Sequence, residues 1–286
     1  MTISTRPHSR AVGLAFLAGL LWSTAGLFIK QVTWNPLAIA GARSAIAALV
    51  LLAFTQGGRP HFTWSRAQVG GALAYTATVI SFVAATKLTT AANAILLQYT
   101  APVYAALLGA WFLRERVTWL DGATIAMVLG GMAVFFLDKL TAGGWWGNVL
   151  SIGSGVCYAS LIVLLRAQKD GSPMESVLLG NGLTALIGLP FMWQGSPGVS
   201  GWLGLLLMGV FQLGLSYVLY STAIKHITAL EGALIPVVEP ILNPLWVFLV
   251  IGEAPGRFAL LGGAIVLAAV TGRYVVTALR PSPGDP

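Results

Sequence analysis

The sequence predicts an all-α integral membrane protein: ten transmembrane helices arranged as two inverted five-helix repeats, with both termini cytoplasmic. Three observations carry that expectation, and composition is the first. Hydrophobic residues make up 57% of the 286-residue chain and charged residues only 9%, whereas soluble domains carry about a quarter charged residues. At about 20 residues per crossing plus short connections, this length accommodates roughly ten spans. The second observation is a duplicated block. Residues 86–115 hold an uncharged segment, 91–113, with charges at both ends, and residues 223–253 repeat that layout. Lys87 and Lys225, Pro102 and Pro240, and Glu115 and Glu253 all stand 138 residues apart (225 − 87, 240 − 102, 253 − 115). Three matches in one ungapped register indicate a duplicated chain.

The third observation is where the basic residues fall, because Lys and Arg collect in cytoplasmic loops. With the N-terminus inside, the cytoplasmic segments carry Arg6, Arg10, Arg59, Arg66, Arg114, Arg116, Arg166, Lys169, Lys225, Arg273 and Arg280. The outer segments carry Lys30, Lys87, Lys139 and Arg257, and Arg43 is left inside the second span. The net charge of +7 is then explained by loop placement and needs no nucleic-acid partner. Five spans per repeat is an odd number, so the second repeat enters the membrane upside down. Trp22 with Tyr158 and Lys30 with Arg166 extend the match to the first span of each repeat at an offset of 136 (158 − 22, 166 − 30). The expected division is a cytoplasmic segment 1–10, a first repeat 11–140, a second repeat 141–279 and a cytoplasmic tail 280–286.

Ten continuous apolar runs supply the spans, and none alternates as a lipid-facing barrel strand would. Span 1 (11–29) follows a basic N-terminus that resembles a signal-peptide start. It has no small-residue cleavage site followed by a soluble domain, so an uncleaved helix is expected. Span 2 (36–54) contains Arg43, about 10 Å in from its outer end by helical rise. In span 3 (67–85), Tyr75, Thr78 and Phe82 recur at helical spacing on one face; their counterparts in span 8 (202–222) are Leu213, Ser216 and Tyr220, with Gln212 one position earlier. Span 4 (91–113) contains Gln98, Tyr99 and Pro102. Span 5 (120–137) and span 10 (258–279) carry the small pairs Gly130–Gly131 and Gly262–Gly263, which allow close helix approach. Span 6 (147–165) contains Tyr158, span 7 covers 176–193, and span 9 (232–251) contains Pro236, Glu239, Pro240 and Pro244. Trp119, Trp145, Trp146 and Trp202 stand at span ends, as interfacial aromatic residues do.

Catalytic patterns are missing from the sequence. His8, His61 and His226 share no helix face, no H-E-x-x-H, G-x-S-x-G or Walker loop occurs, and the single cysteine, Cys157, cannot form a disulfide framework or a cysteine metal cluster. No cofactor or metal is expected, and ATP-driven pumping by this chain is not expected. Glu239 and Arg43 are the ionisable residues well inside spans, where a charge must face protein or a wet cavity. Glu239 is read either as a binder of a substrate amine or proton carrier, or as a structural group satisfying backbone freed by Pro236 and Pro240. Arg43 is read as structural, pairing with carbonyls or reaching outward. Pro102, Pro236 and Pro240 remove helical hydrogen bonds and mark kinks or hinges. Trp22, Tyr75, Thr78, Gln98, Tyr99, Tyr158, Ser216 and Glu239 are the candidate cavity residues. Trp22, Tyr99, Tyr158 and Gln98 are expected to surround one substrate side chain at mid-depth.

The blocks L-Q-Y-T-A-P-V-Y and I-P-V-V-E-P-I-L, each closing on a Glu within L-R-E-R and I-G-E, resemble the EamA family of the drug/metabolite transporter superfamily. The resemblance covers essentially the whole chain and is strongest to its YddG-type exporters of aromatic and other neutral amino acids. It implies a cavity framed by spans 1, 3, 4, 6, 8 and 9, open alternately to either side. Neither span 1 nor span 6 contains a carboxylate, which departs from the small multidrug resistance relatives and their first-helix Glu. The function expected is export of neutral, aromatic amino acids or related metabolites across the inner (plasma) membrane by a secondary transporter, with a small-molecule substrate and the lipid bilayer as partners and a monomer as the working unit. The alternatives left open are a transporter of another small polar metabolite, such as a sugar-like compound, or an integral-membrane enzyme.

Overall fold

In hydrocarbon a chain must satisfy its own backbone N–H and C=O groups, and a continuous apolar run does so by coiling into a helix. The computed structural model describes residues 6–55, 59–116, 118–135 and 142–278, and among them every regular element is helical, with no strand. Lys139, the repeat boundary at 140/141, the expected span ends at 137 and 279, the segment 1–5 and the tail 280–286 lie outside the described residues. Among the described residues, eight helices are long and apolar enough to cross a membrane.

The first predicted span is α1 (Arg6–Trp22) followed by α2 (Ala25–Gln31), and the second is α3 (Pro36–Phe54). The third is α4 (Arg66–Leu88), and the fourth splits into α5 (Ala91–Gln98) and α6 (Ala101–Leu113). Then come α7 (Trp119–Phe135), α8 (Ala142–Ala167) and α9 (Pro173–Met192). The eighth span runs α10 (Gly198–Leu207), a π-helical stretch Met208–Leu215, and α11 (Ser216–Ala223). The ninth runs α12 (Ala229–Leu234), a 3₁₀ turn Ile235–Val237, and α13 (Val238–Ile251), and α14 (Arg257–Ala278) closes the chain. The eight helices that meet the length and hydropathy needed for crossing make up spans 1–4 and 6–9; α7 and α14 stand beside them.

Local chemistry sets the ends. Asn35, with Pro36 following it, accepts from Leu37 N at 2.9 Å and starts α3. Ser65 caps α4 through Gln68 N, and Thr90 caps α5 through Asn93 N. Thr228 opens α12 with a reciprocal capping box to Glu231. At the far ends of spans 4 and 9, Arg114 (φ 55) and Gly252 (φ 79) both take the left-handed conformation, the usual way to end a helix. They stand 138 residues apart (252 − 114), so the duplication extends to backbone conformation.

The halves interlock. Packing pairs α3 with α9, α7 with α14, and α4 with α8, while α1 lies against α11 and against the break in span 9. Close backbone approach fixes several of these crossings: a Cβ added at Gly41 would sit 2.8 Å from Gly188 Cα, and one at Gly131 would sit 2.8 Å from Gly262 O. Gly130 has nothing within 4 Å of such a Cβ, so only the second member of that pair makes the contact. The interior combines a large apolar core with buried polar residues, and the outside is apolar. Arg43, Gln98, Asn181, Gln212, Ser216, Glu239 and Asn243 are buried, whereas Trp111, Phe112, Leu107, Leu186 and Leu249 are exposed on the outside. Such an outer surface is compatible with lipid, where apolar exposure is not penalised.

Candidate functional site

Four spans depart from regular α-helix near their middles, and the departures meet. Span 1 breaks at Ser23 and Thr24, whose hydroxyls donate to Leu20 O (2.7 Å) and Leu21 O (2.8 Å). Span 4 breaks at Tyr99 and Thr100, just ahead of Pro102, and Thr100 Oγ1 donates to Leu97 O. Span 9 breaks at Pro236, whose ψ of 21° is not helical, and Pro240 sits in the first turn after it. Span 8 carries the π stretch. Each proline withholds an N–H, so a carbonyl needs another donor; Tyr99 supplies it across the interface, its hydroxyl donating to Pro236 O at 2.5 Å.

Glycines let neighbouring helices reach these breaks. A Cβ at Gly19 would lie 2.8 Å from Pro236 Cα, and one at Gly155 would lie 2.7 Å from Gln98 O. The two contacts exchange under the duplication (155 − 19 is 136; 236 − 98 is 138), so the first span of each half leans on the broken span of the other.

Between the breaks lies a cavity of about 40 Å³, room for about three waters at 10–15 Å³ each. Trp22, Thr78, Gln98, Tyr158 and Glu239, all expected there from the sequence, line it. Phe82, Val79, Arg43, Gln212, Leu213 and Tyr217 complete the wall. Spans 1, 3, 4, 6, 8 and 9 thus all contribute, and span 2 adds Arg43. Gln98 Nε2 donates to Ser154 Oγ at 2.7 Å, and Ser154 Oγ in turn reaches Thr78 O at 3.1 Å, which locks spans 3, 4 and 6 together. Trp22 stacks edge-on with Tyr158 (6.1 Å between centroids) and at a tilt with Tyr217 (5.1 Å) and Tyr220 (5.0 Å).

The remaining candidates lie beside the wall. Tyr75 is fully buried, donates from its hydroxyl to Asn181 Oδ1 at 2.9 Å and stacks on Tyr217. Tyr99 turns to Pro236 and Glu239, and Ser216 donates to Gln212 O within its own span. Tyr217, Val79 and Arg43 belong to the wall but not to the cavity candidates that the sequence suggested. Tyr217 is one residue past Ser216, the position that constant offset assigns to the face, and spacing alone gave no signal for the shift. A π turn adds one residue to the helical repeat, and the stretch Met208–Leu215 precedes Tyr217. Arg43 makes a hydrogen bond from Nη1 to Gln212 Oε1 at 3.0 Å and approaches Met208 Sδ at 3.9 Å.

Two ion-pair clasps stand at opposite ends of span 4. At its start, Lys30 Nζ meets Glu253 Oε2 at 2.8 Å, Glu253 Oε1 accepts from Ala91 N at 2.7 Å, and Lys30 also donates to Thr89 O. At its end, Arg166 Nε meets Glu115 Oε1 at 3.4 Å, and Glu115 Oε2 accepts from Ala229 N at 3.0 Å. Every member has its counterpart: Lys30 and Arg166, Glu253 and Glu115, Ala91 and Ala229. Each carboxylate sits at a helix N-terminus, where the macrodipole and free N–H groups favour an anion. Span 4 of 23 residues separates the two clasps by roughly 34 Å at helical rise. Beside the Arg166 end, a larger polar pocket of about 470 Å³ is lined by Arg59, His61, Asp170, Glu175 and Lys225.

A duplicated, all-helical, multi-pass membrane protein with a small polar and aromatic cavity between its halves has the form of a solute transporter. The chain belongs to the EamA-like transporter family, which matches residues 9–137 and again residues 145–274. It is 30% identical over 257 residues to an uncharacterized transporter of Archaeoglobus fulgidus, covering 89% of this chain and 92% of that one. It is 28% identical over 191 residues to a probable terminal-alkyne amino-acid exporter of Streptantibioticus cattleyicolor, 63% of each chain. A solved crystal structure 20% identical in sequence superposes with a TM-score of 0.72 over 96% of this chain and 100% of that one, and attests the fold.

Proposed function

We propose that this protein is a secondary transporter of the inner membrane that exports neutral amino acids, preferring aromatic side chains, by alternating access between two inverted five-helix repeats. The observation that carries the reading is the cavity wall: Trp22, Phe82, Tyr158 and Tyr217 offer aromatic surface, and Gln98, Thr78 and Gln212 offer neutral hydrogen-bonding groups. That combination suits an apolar side chain attached to a polar head. The amino-acid exporter among the relatives supports the same substrate class. Inversion is supported by the clasps, because the start of span 4 lies beside the end of span 9 and the converse. Both termini are then cytoplasmic, as the distribution of Lys and Arg favours.

At about 40 Å³ the cavity is smaller than an amino acid, so the spans around it must part to admit one. Opening to one side then breaks one clasp and keeps the other. Pro102, Pro236 and Pro240 stand at the breaks of spans 4 and 9 and serve as the hinge points, since a helix bends where its hydrogen-bond ladder is already interrupted.

The test is a proteoliposome counterflow panel of labelled phenylalanine, leucine, threonine, glutamate, lysine and a hexose, with and without a pH gradient. Phenylalanine and leucine should exchange fastest, and glutamate and lysine should exchange little. Exchange of the hexose alone would replace this reading with the sugar-like one, and a gradient effect would identify proton coupling.

A further inference from the structure

Only two of the cavity-lining residues carry a formal charge, Arg43 and Glu239, and their signs are opposite. Among the described residues neither forms an ion pair, with the other or with any third group. Both are nearly fully buried, Arg43 at 1% exposure and Glu239 at 6%. A buried charge left without an opposite charge is heavily disfavoured, so the arrangement calls for a ligand that offers both signs at once.

The local contacts leave the right atoms available. Arg43 uses Nη1 for Gln212 Oε1 and Met208 Sδ, while its Nε is buried without a hydrogen-bond partner. The Nε/Nη2 edge is therefore unengaged, and that edge holds a carboxylate in bidentate fashion. The near polar neighbour of Glu239 is the Tyr99 hydroxyl at 3.3 Å, whose proton is directed to Pro236 O at 2.5 Å. An ionised carboxylate has about four acceptor positions, so Glu239 retains capacity for an ammonium. Trp22 Nε1 is likewise buried without a partner beside them.

The geometry points to Arg43 and Glu239 as the two poles of the substrate site, Arg43 taking the α-carboxylate and Glu239 the α-ammonium of a zwitterionic amino acid with an uncharged side chain. The inference deepens the amino-acid reading above and rests on it. It also explains selectivity by charge: a net-neutral cavity matches a net-neutral solute, and an extra side-chain charge finds no partner on the wall.

The test uses the full chain in nanodiscs and four probes: phenylalanine, phenylalaninamide without the carboxylate, 3-phenylpropanoate without the amine, and a hexose. Affinity is read by isothermal titration. Wild type should bind phenylalanine at least about 10-fold more tightly than either truncated analogue, since hydrogen bonds to charged groups account for roughly 10- to 100-fold each. Arg43→Gln should weaken phenylalanine by about that factor and leave phenylalaninamide nearly unchanged. Glu239→Gln should weaken phenylalanine and phenylalaninamide and spare 3-phenylpropanoate. Wild-type protein that binds the amide as tightly as phenylalanine overturns the inference even if neither variant folds, and so does an Arg43→Gln protein that loses both by the same factor. In those cases amino-acid binding itself survives. Absence of phenylalanine binding with retention of the hexose removes the amino-acid reading as well.

Discussion

Tyr99 and Trp22 are both large, buried aromatic residues from broken spans, yet their surroundings assign them different work. The Tyr99 hydroxyl ties span 4 to the carbonyl of Pro236, and its ring is absent from the cavity wall. Losing a buried hydrogen bond and stranding a carbonyl costs about 1–3 kcal/mol. Tyr99→Phe should therefore lower thermal stability by that order and reduce transport of phenylalanine and threonine by one common factor. Trp22 forms part of the wall and stacks on three tyrosines. Trp22→Leu should remove about 1–3 kcal/mol of binding for an aromatic substrate and affect threonine less. Thermal unfolding and paired uptake at equal protein level separate the two outcomes; equal losses for both substrates in Trp22→Leu would assign that residue to packing.

At the scale of elements, the breaks are held by close contacts as well as by proline. Gly19 packs on Pro236 and Gly155 packs on the Gln98 carbonyl, each at a separation a methyl group would violate. Overpacking of this kind costs about 1–3 kcal/mol. Gly19→Ala and Gly155→Ala should each lower the melting temperature in detergent and slow transport, whereas Gly13→Ala, with nothing within 4 Å, should change neither. An unaltered Gly19→Ala protein would mean that span 1 yields freely at the break. The two glycines share one role because the elements they join are exchanged by the duplication. Span 8 is where that exchange is imperfect: the π stretch Met208–Leu215 has no counterpart in α4, and it shifts the face that span 8 presents to the cavity.

For the whole molecule, the matched clasps couple its ends. Lys30–Glu253 and Arg166–Glu115 each bind a residue of one half to a carboxylate of the other, and each carboxylate caps a helix start in the opposite half. This requires spans 4 and 9 to run antiparallel, and the proposed inverted arrangement has a direct check. Reporter fusions after Arg59, after Arg116 and at the C-terminus should report cytoplasm, and a fusion near Gly143 should report the opposite side. Cytoplasmic signals from both Arg116 and Gly143 would break the five-plus-five scheme.

Membrane class, duplication and family are written in one dimension and were legible there. Hydropathy, the constant offset of 138 and the matching blocks of spans 4 and 9 depend only on composition and spacing. The same holds for the mid-span depth of Trp22, Thr78, Gln98, Tyr158 and Glu239, all of which reach the cavity wall. What tertiary structure decided is which way side chains turn once helices deviate. Tyr99 follows Gln98 directly, but the break at that point sends it to Pro236, a carbonyl 137 positions away. Arg43 reads in sequence as a charge needing carbonyls, and only folding sets it against Gln212, 169 positions away, leaving one edge of its guanidinium unengaged. Tyr217 joins the wall downstream of a π stretch, a departure from helical periodicity that the apolar sequence of span 8 does not announce. Spacing predicts faces while the helix is regular. At proline breaks and π turns, the partner across the interface determines them.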